Sequence, residues 1–255
     1  MVIMEVLFPL FQNIKMQALN IQQHKTHLTN ILIDIYKDTF LGSMLGFKGG
    51  TAAMFFHALP RFSVDLDFDI TQEMKGDSNK LQELTGTIGR LIATKYEIKD
   101  SSNKFNTLFW LVSYGTGTTN IKIEISTREN PFNTYELKPF YGVSVKKLQI
   151  EDMIAHKLVA ATDRTSIAHR DLFDIHYFLS SKYVNDINYD IIKHRTGKNP
   201  KEFYLSLAKF LKDIDNKSIL QGLGEVLTES QKDWVKAKLL IELKGLVQRQ
   251  IDLAG

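Results

Sequence analysis

Between Ile21 and Phe40 the apolar residues recur at helical spacing, with Leu28, Ile31, Leu32, Ile35 and Tyr36 on one face. The period then shortens. Leu45-Gly46-Phe47 reads as a strand running into Lys48-Gly49-Gly50-Thr51, a turn signal, and Thr51 is placed to N-cap a short apolar helix over Ala52–Leu59 that Pro60 ends. Ser63–Ile70 alternates as a strand. Asn79–Lys95 reads as a helix. Thr107–Tyr114 and Thr119–Ser126 read as paired strands turned at Gly115-Thr116-Gly117. After Val145 the pattern is helical, over Ile150–Ala161, Ala168–Leu179, Pro200–Leu211 and Glu229–Ile251. The predicted class is α+β, with a mixed sheet and flanking helices over residues 1–146 and a helical lobe over 147–255.

Composition narrows the chemistry more than the fold. The 255 residues suffice for one large domain or two modest ones. With 44% apolar and 24% charged residues the chain reads as an ordinary globular protein. It has no cysteine, which excludes disulfides and thiolate metal sites. A net charge of +3 permits a polyanionic partner without requiring one. Met1–Phe11 is apolar but interrupted by Glu5 and Pro9, with no basic leader and no small-residue cleavage site, so it does not read as a signal peptide. No stretch approaches the ~20 apolar residues of a membrane span. The expected setting is the cytoplasm, with no membrane partner.

The most informative segment is Asp65-Leu66-Asp67-Phe68-Asp69. Side chains alternate along a strand, so the three aspartates share one face and Leu66, Phe68 and Ile70 the other. Alone, such a strand is more often the solvated edge of a sheet. A second alternating strand, Ile121-Lys122-Ile123-Glu124-Ile125, carries one acid, and a lone buried Glu is costly. Beside the aspartates, Glu124 becomes a third metal ligand or a base for a hydroxyl nucleophile, with Lys122 at the rim. Magnesium takes a few carboxylates and the phosphates of a substrate. Gly49-Gly50-Thr51, between a strand and a helix, suits a phosphate at a helix N-terminus, although taken alone it is an ordinary turn.

Together these residues resemble the polymerase-β-type nucleotidyltransferases. Phe47-Lys48-Gly49-Gly50-Thr51-Ala52, Arg61-Phe62-Ser63-Val64-Asp65-Leu66-Asp67-Phe68-Asp69 and Ile121–Ser126 are similar to the AbiEii family of nucleotidyltransferase toxins. So are Glu151–Leu158, Arg164 and Arg170-Asp171-Leu172-Phe173-Asp174. The resemblance spans roughly residues 40 to 180. It implies a two-lobed fold with the site in the cleft. It implies transfer of a nucleoside monophosphate from an NTP, a paired antitoxin and, in some members, the acceptor end of tRNA as the target. By the resemblance Asp65, Asp67 and Glu124 hold Mg²⁺, and Lys48, Gly49, Gly50, Thr51, Ser63, Arg164 and Asp174 bind nucleotide. It assigns Lys157 to the triphosphate and Asp171 to an essential supporting role. Asp69 leaves two candidate pairs, Asp65/Asp67 and Asp67/Asp69; the family motif aligns on the first.

From spacing alone, Lys157 and Arg164 share a helix face, as do Asp171 and Asp174, and interhelical ion pairs explain them equally well. His169-Arg170-Asp171-Leu172 mimics a kinase catalytic loop, but position 176 is His where Asn is required, and D-F-G and G-x-G-x-x-G are missing. The seven histidines form no H-E-x-x-H, which argues against zinc hydrolysis, and His57 and His156 read as structural. Rival readings are a nucleotidyltransferase acting on a small molecule, a metal-dependent nuclease and an inactive binding module. Lys146-Lys147, Lys193-His194-Arg195, Lys198 and Lys201 hint at an RNA-facing surface, though such runs are usually solvated faces.

Overall fold

The computed structural model describes residues 20–71, 77–115, 117, 119–163 and 168–254. The apolar start read from Met1 to Phe11, the turn residue Thr116 and Arg164 lie outside these residues. The chain opens with α1 (Ile21–Lys37) and α2 (Thr39–Met44). The expected single helix to Phe40 is divided because Asp38 accepts a hydrogen bond from the Leu41 amide and so caps a new helix. The strands β1 (Leu45–Lys48), β2 (Leu66–Ile70), β3 (Glu97–Lys104), β4 (Thr107–Ser113), β5 (Ile121–Ser126), β6 (Tyr135–Phe140) and β7 (Val143–Leu148) form one mixed sheet in the order β3-β4-β5-β2-β1-β7-β6. Helix α3 (Gly49–His57) joins β1 to β2, and α4 (Ser78–Ala93) precedes β3.

Central strands are apolar because they are covered. Phe47, Leu66, Phe68, Ile123 and Ile125 are fully buried, with Leu28, Leu32 and Ile35 of α1 and Leu84, Ile88 and Ile92 of α4 in the same core. Beyond β7 come α5 (Ile150–Asp163), α6 (His169–Leu179), α7 (Tyr189–Thr196), α8 (Pro200–Lys212), α9 (Glu229–Trp234) and α10 (Leu240–Leu253). The single helix expected over Glu229–Ile251 is divided by a π-helical turn at Val235–Leu239.

Two strands that the sequence reading passed over pair as a hairpin, β6 with β7. Its loop is Tyr141-Gly142, both at positive φ. That is the backbone a two-residue hairpin turn demands, here supplied by Tyr-Gly instead of Asn-Gly. Lys146 and Lys147, on either side of the expected lobe boundary, both lie in β7. The edge strand β3 is also new; Ile98 is its one large apolar residue, so its alternation is too weak to read.

Candidate active site

The register of three strands builds the site. β1 runs antiparallel to β2 with Lys48 opposite Asp67, and β5 runs parallel to β2 with Glu124 opposite Asp67. Directly opposed side chains share a face, so Lys48, Asp67 and Glu124 form a row across the sheet. β2 begins at Leu66, three residues later than the alternation suggested, because residues 61–65 are committed to other contacts. Asp65 therefore stands at the mouth of the strand. Its carbonyl accepts the Thr51 hydroxyl. This corrects the reading of Thr51 as an N-cap: α3 starts three residues earlier, Lys48 is its N-cap, and Thr51 is buried in its first turn.

Gly49 sits at φ +79°, and a Cβ there would fall 2.1 Å from Asp67 Oδ2. Only glycine lets α3 begin against this carboxylate. A Cβ on Gly50 would meet Ser63 Oγ at 2.8 Å and Arg61 Nη2 at 2.9 Å, so Gly50 is the seam between α3 and the connection to β2. Burial, then Asp65 and Glu124, push the Asp67 carboxyl up to about 6 against the pull of Lys48 and Lys157. Among the described residues no hydrogen-bond donor reaches the carboxylates of Asp65, Asp67 or Glu124.

Asp69 is different in kind. It is 1% exposed, ion-paired to Lys48 Nζ, and accepts hydrogen bonds from Asn133 Nδ2 and Tyr135 OH at 3.1 Å each. Its oxygens are spent inside the protein. Lys122 is exposed, two residues before Glu124 on the same face of β5.

The helical lobe brings the second cluster. Arg61 is buried and grips Asp174 with both nitrogens, Nε to Oδ1 at 2.6 Å and Nη2 to Oδ2 at 2.7 Å. Lys157 Nζ lies 2.9 Å from Asp174 Oδ2 and 3.0 Å from Asp171 Oδ1. Burial opposes ionisation of Asp174, yet Lys157 and Arg61 together hold its carboxyl below the ordinary carboxylate range. Burial likewise opposes the charge on Lys157, and Asp174 and Asp171 outweigh it. Two cations and two acids thus join the connection before β2 to α5 and α6, and both cations act electrostatically on Asp67.

Of the residues singled out in the sequence, the structure brings together Lys48, Gly49, Asp67 and Glu124 in one row and Asp65 beside it. It places Gly50 and Ser63 in contact, and it joins Lys157, Asp171 and Asp174. Arg61 belongs to this cluster and was assigned no role from sequence. A buried arginine must find an acid, but its acid is 113 residues away, and no local pattern shows that. Asn133, Tyr135 and His156 were also missed as parts of the site's surroundings. Among the described residues no three carboxylate or imidazole groups converge closely enough to hold a metal ion unaided. Nor is any described helix long and apolar enough to cross a membrane.

The model of the family described as nucleotidyl transferase AbiEii toxin, type IV toxin–antitoxin system, matches residues 31–240. A Helicobacter pylori structure described as a candidate nucleotidyltransferase is 22% identical, with a TM-score of 0.59 over 91% of this chain and 95% of that one. The Helicobacter pylori protein JHP933 is 23% identical, with a TM-score of 0.58 over 91% and 94%. At these identities the structures speak for the fold. No curated protein matches the chain.

Proposed function

Because the chain belongs to the AbiEii family of nucleotidyl transferase toxins, we propose that it moves a nucleoside monophosphate from an NTP onto an RNA acceptor, the 3′ end of tRNA, in a Mg²⁺-dependent reaction. The observation that carries this reading is the row Lys48–Asp67–Glu124 with the α3 N-terminus packed against it. Phosphoryl transfer asks a protein mainly to position reactants and to neutralise charge, and this row is built for both.

The donor set fits a hard divalent cation. Asp65, Asp67 and Glu124 are neighbouring carboxylates with no hydrogen-bond donor of their own among the described residues, and burial beside the other two pushes the Asp67 carboxyl up to about 6, a shift that a cation at this position would oppose. Asp65 and Asp67 would hold Mg²⁺, with Glu124 completing the set once substrate phosphates supply the remaining oxygens. The cation would neutralise the triphosphate and polarise the α-phosphate. The commitment of Asp69 to Lys48, Asn133 and Tyr135 supports the pair Asp65/Asp67 over Asp67/Asp69.

The chain's own residues do the rest. The backbone at Gly49–Gly50, at the start of a nine-residue helix, faces the β and γ phosphates. Thr51 contributes by fixing Asp65. Ser63 shapes the same turn, and by the family resemblance Arg164 supplies a further cation to the nucleotide. Lys157 neutralises charge as pyrophosphate leaves, held in place by Asp171 and Asp174. The acceptor hydroxyl forms its bond to the α-phosphorus as the α–β bridging bond breaks, and its proton passes to Glu124. The protein works in the cytoplasm, restrained by a cognate antitoxin.

The test is incubation of the protein with total tRNA and each of the four α-labelled NTPs, with and without Mg²⁺. Label should pass to tRNA with one nucleotide preferred, only when Mg²⁺ is present. Label on a small hydroxylated acceptor and none on RNA would replace the acceptor assignment. Cleaved RNA without any need for NTP would replace the reaction.

A further inference from the structure

A chain of polar contacts, exposed at Arg195 and buried at Asn133 and Asp69, runs from the helical lobe to the carboxylate row, and the direction of each hydrogen bond in it is determined. Arg195 of α7 places Nη1 3.3 Å from His156 Nδ1 on α5. A guanidinium only donates, so Nδ1 is the accepting nitrogen and the ring proton sits on Nε2. That N–H lies 2.6 Å from Asn133 Oδ1 and donates to it. The carbonyl oxygen of Asn133 is thereby turned to the histidine and its amide nitrogen to Asp69, donating to Oδ2 at 3.1 Å. Tyr135 donates to the same oxygen, its ring lying so close over Gly46 that a Cβ there would come within 2.2 Å. Asp69 Oδ1 is left for one partner, Lys48 Nζ.

Asn133 is 7% exposed and Asp69 1%. Burial first, then Lys48 and Arg195, push the His156 imidazole down to about 3, so the ring stays a neutral donor–acceptor. At the far end Arg195 is braced by Asp163, Nη2 to Oδ2 at 2.9 Å. Were Asn133 to flip, its carbonyl would confront the Asp69 carboxylate and no donor would remain for Oδ2 except Tyr135.

We propose that Asn133 and His156 are positioning residues that act through Asp69 to hold the Lys48 ammonium beside Asp67, ready for the triphosphate. This rests on the nucleotidyltransferase reading of the site. It assigns a role to two side chains that touch none of the reacting atoms, and it couples the setting of Lys48 to the contact between α5, α7 and the β5–β6 connection.

The test is a double-mutant cycle on nucleotide transfer in the full chain. His156→Ala removes the donor to Asn133, leaves that buried carbonyl oxygen unsatisfied and should raise KM for the preferred NTP on the order of tenfold, with kcat within about twofold. His156→Gln keeps a side-chain N–H and should recover most of the loss. Asn133→Asp sets a second carboxylate against Asp69 and should be worse than Asn133→Ala. In a Lys48→Ala background His156→Ala should cost nothing further. An undiminished cost there, or no rescue by glutamine, overturns the proposal. The crystal structure of the His156→Ala protein judges it separately. Lys48 Nζ should leave Asp69, and finding it in place would refute the relay even if the wild-type protein transferred no nucleotide, an outcome that would itself count only against the reaction assigned.

Discussion

At the scale of single residues, the site depends on two close fits. Gly49 makes room for Asp67, and Asp174 makes two cations tolerable in a buried seam. Gly49→Ala puts a methyl 2.1 Å from Asp67 Oδ2 on a backbone of positive φ. It should lower the melting temperature and abolish transfer together, whereas Asp67→Ala should abolish transfer with the fold intact. Removing one partner of a buried ion pair leaves the other charge uncompensated, at a cost of about 3–5 kcal/mol. Asp174→Ala strands Arg61 and Lys157 in this way and should lower the melting temperature by roughly 10 °C, read by circular dichroism. The Asp174 carboxyl is held below its ordinary value in the folded state, so its contribution is complete at neutral pH. It is lost as pH falls through the ordinary carboxylate range to the folded pKa. Sequence showed the acids but not their assignments. In Asp65-Leu66-Asp67-Phe68-Asp69 alternation puts all three on one face. Which is spent on structure depends on Lys48, Asn133 and Tyr135, and the last two are more than sixty residues away.

At the scale of elements, legibility followed burial. β1, β2 and β5 are covered and apolar, and their existence was plain from the pattern; so were α1, α4, α5, α6 and α8. The edge strands β3 and β6 were not, because a strand half in water carries little alternation; nor was the interior strand β7, where Ser144, Lys146 and Lys147 interrupt the apolar run and Tyr141-Gly142 is a rare spelling of its turn. Helix α3 began earlier than its composition suggested, since tertiary contact with Asp67 favours glycine where propensity does not. Thr51 consequently acts as a brace between α3 and β2. Thr51→Val keeps the shape and leaves the Asp65 carbonyl without its donor. It should destabilise by about 1–3 kcal/mol and reduce transfer by releasing Asp65, measured by urea denaturation and by initial rates.

At the scale of the whole molecule, the lobes are joined where the chemistry is. Arg61 reaches Asp174, the Phe62 amide donates to the Val226 carbonyl at 3.0 Å, and Gln231 donates to the Pro60 carbonyl, so the connection before β2 is held by the helical lobe along its length. Stability and geometry of the site should therefore change together. Titration offers one check on this frame. Burial, then Lys147, push His57 down to about 4 from 6.5. The unfolded chain binds a proton there that the folded chain refuses, so stability should be constant above about pH 6.5 and fall as pH drops from there to about 4. His57→Gln should flatten that limb, seen as a smaller loss of melting temperature between pH 7.5 and pH 5 than in the wild type.

The central claim is that this site breaks the α–β bond of an NTP and passes the α-phosphoryl group onward. Paired reactions with α-labelled and γ-labelled NTP in the presence of Mg²⁺, run on the wild type and on Asp67→Asn, test it directly. The account predicts that α label joins the acceptor, γ label is released as pyrophosphate, and both signals vanish in the variant. Release of γ label as orthophosphate with no α label transferred, or transfer undiminished in Asp67→Asn, would contradict it.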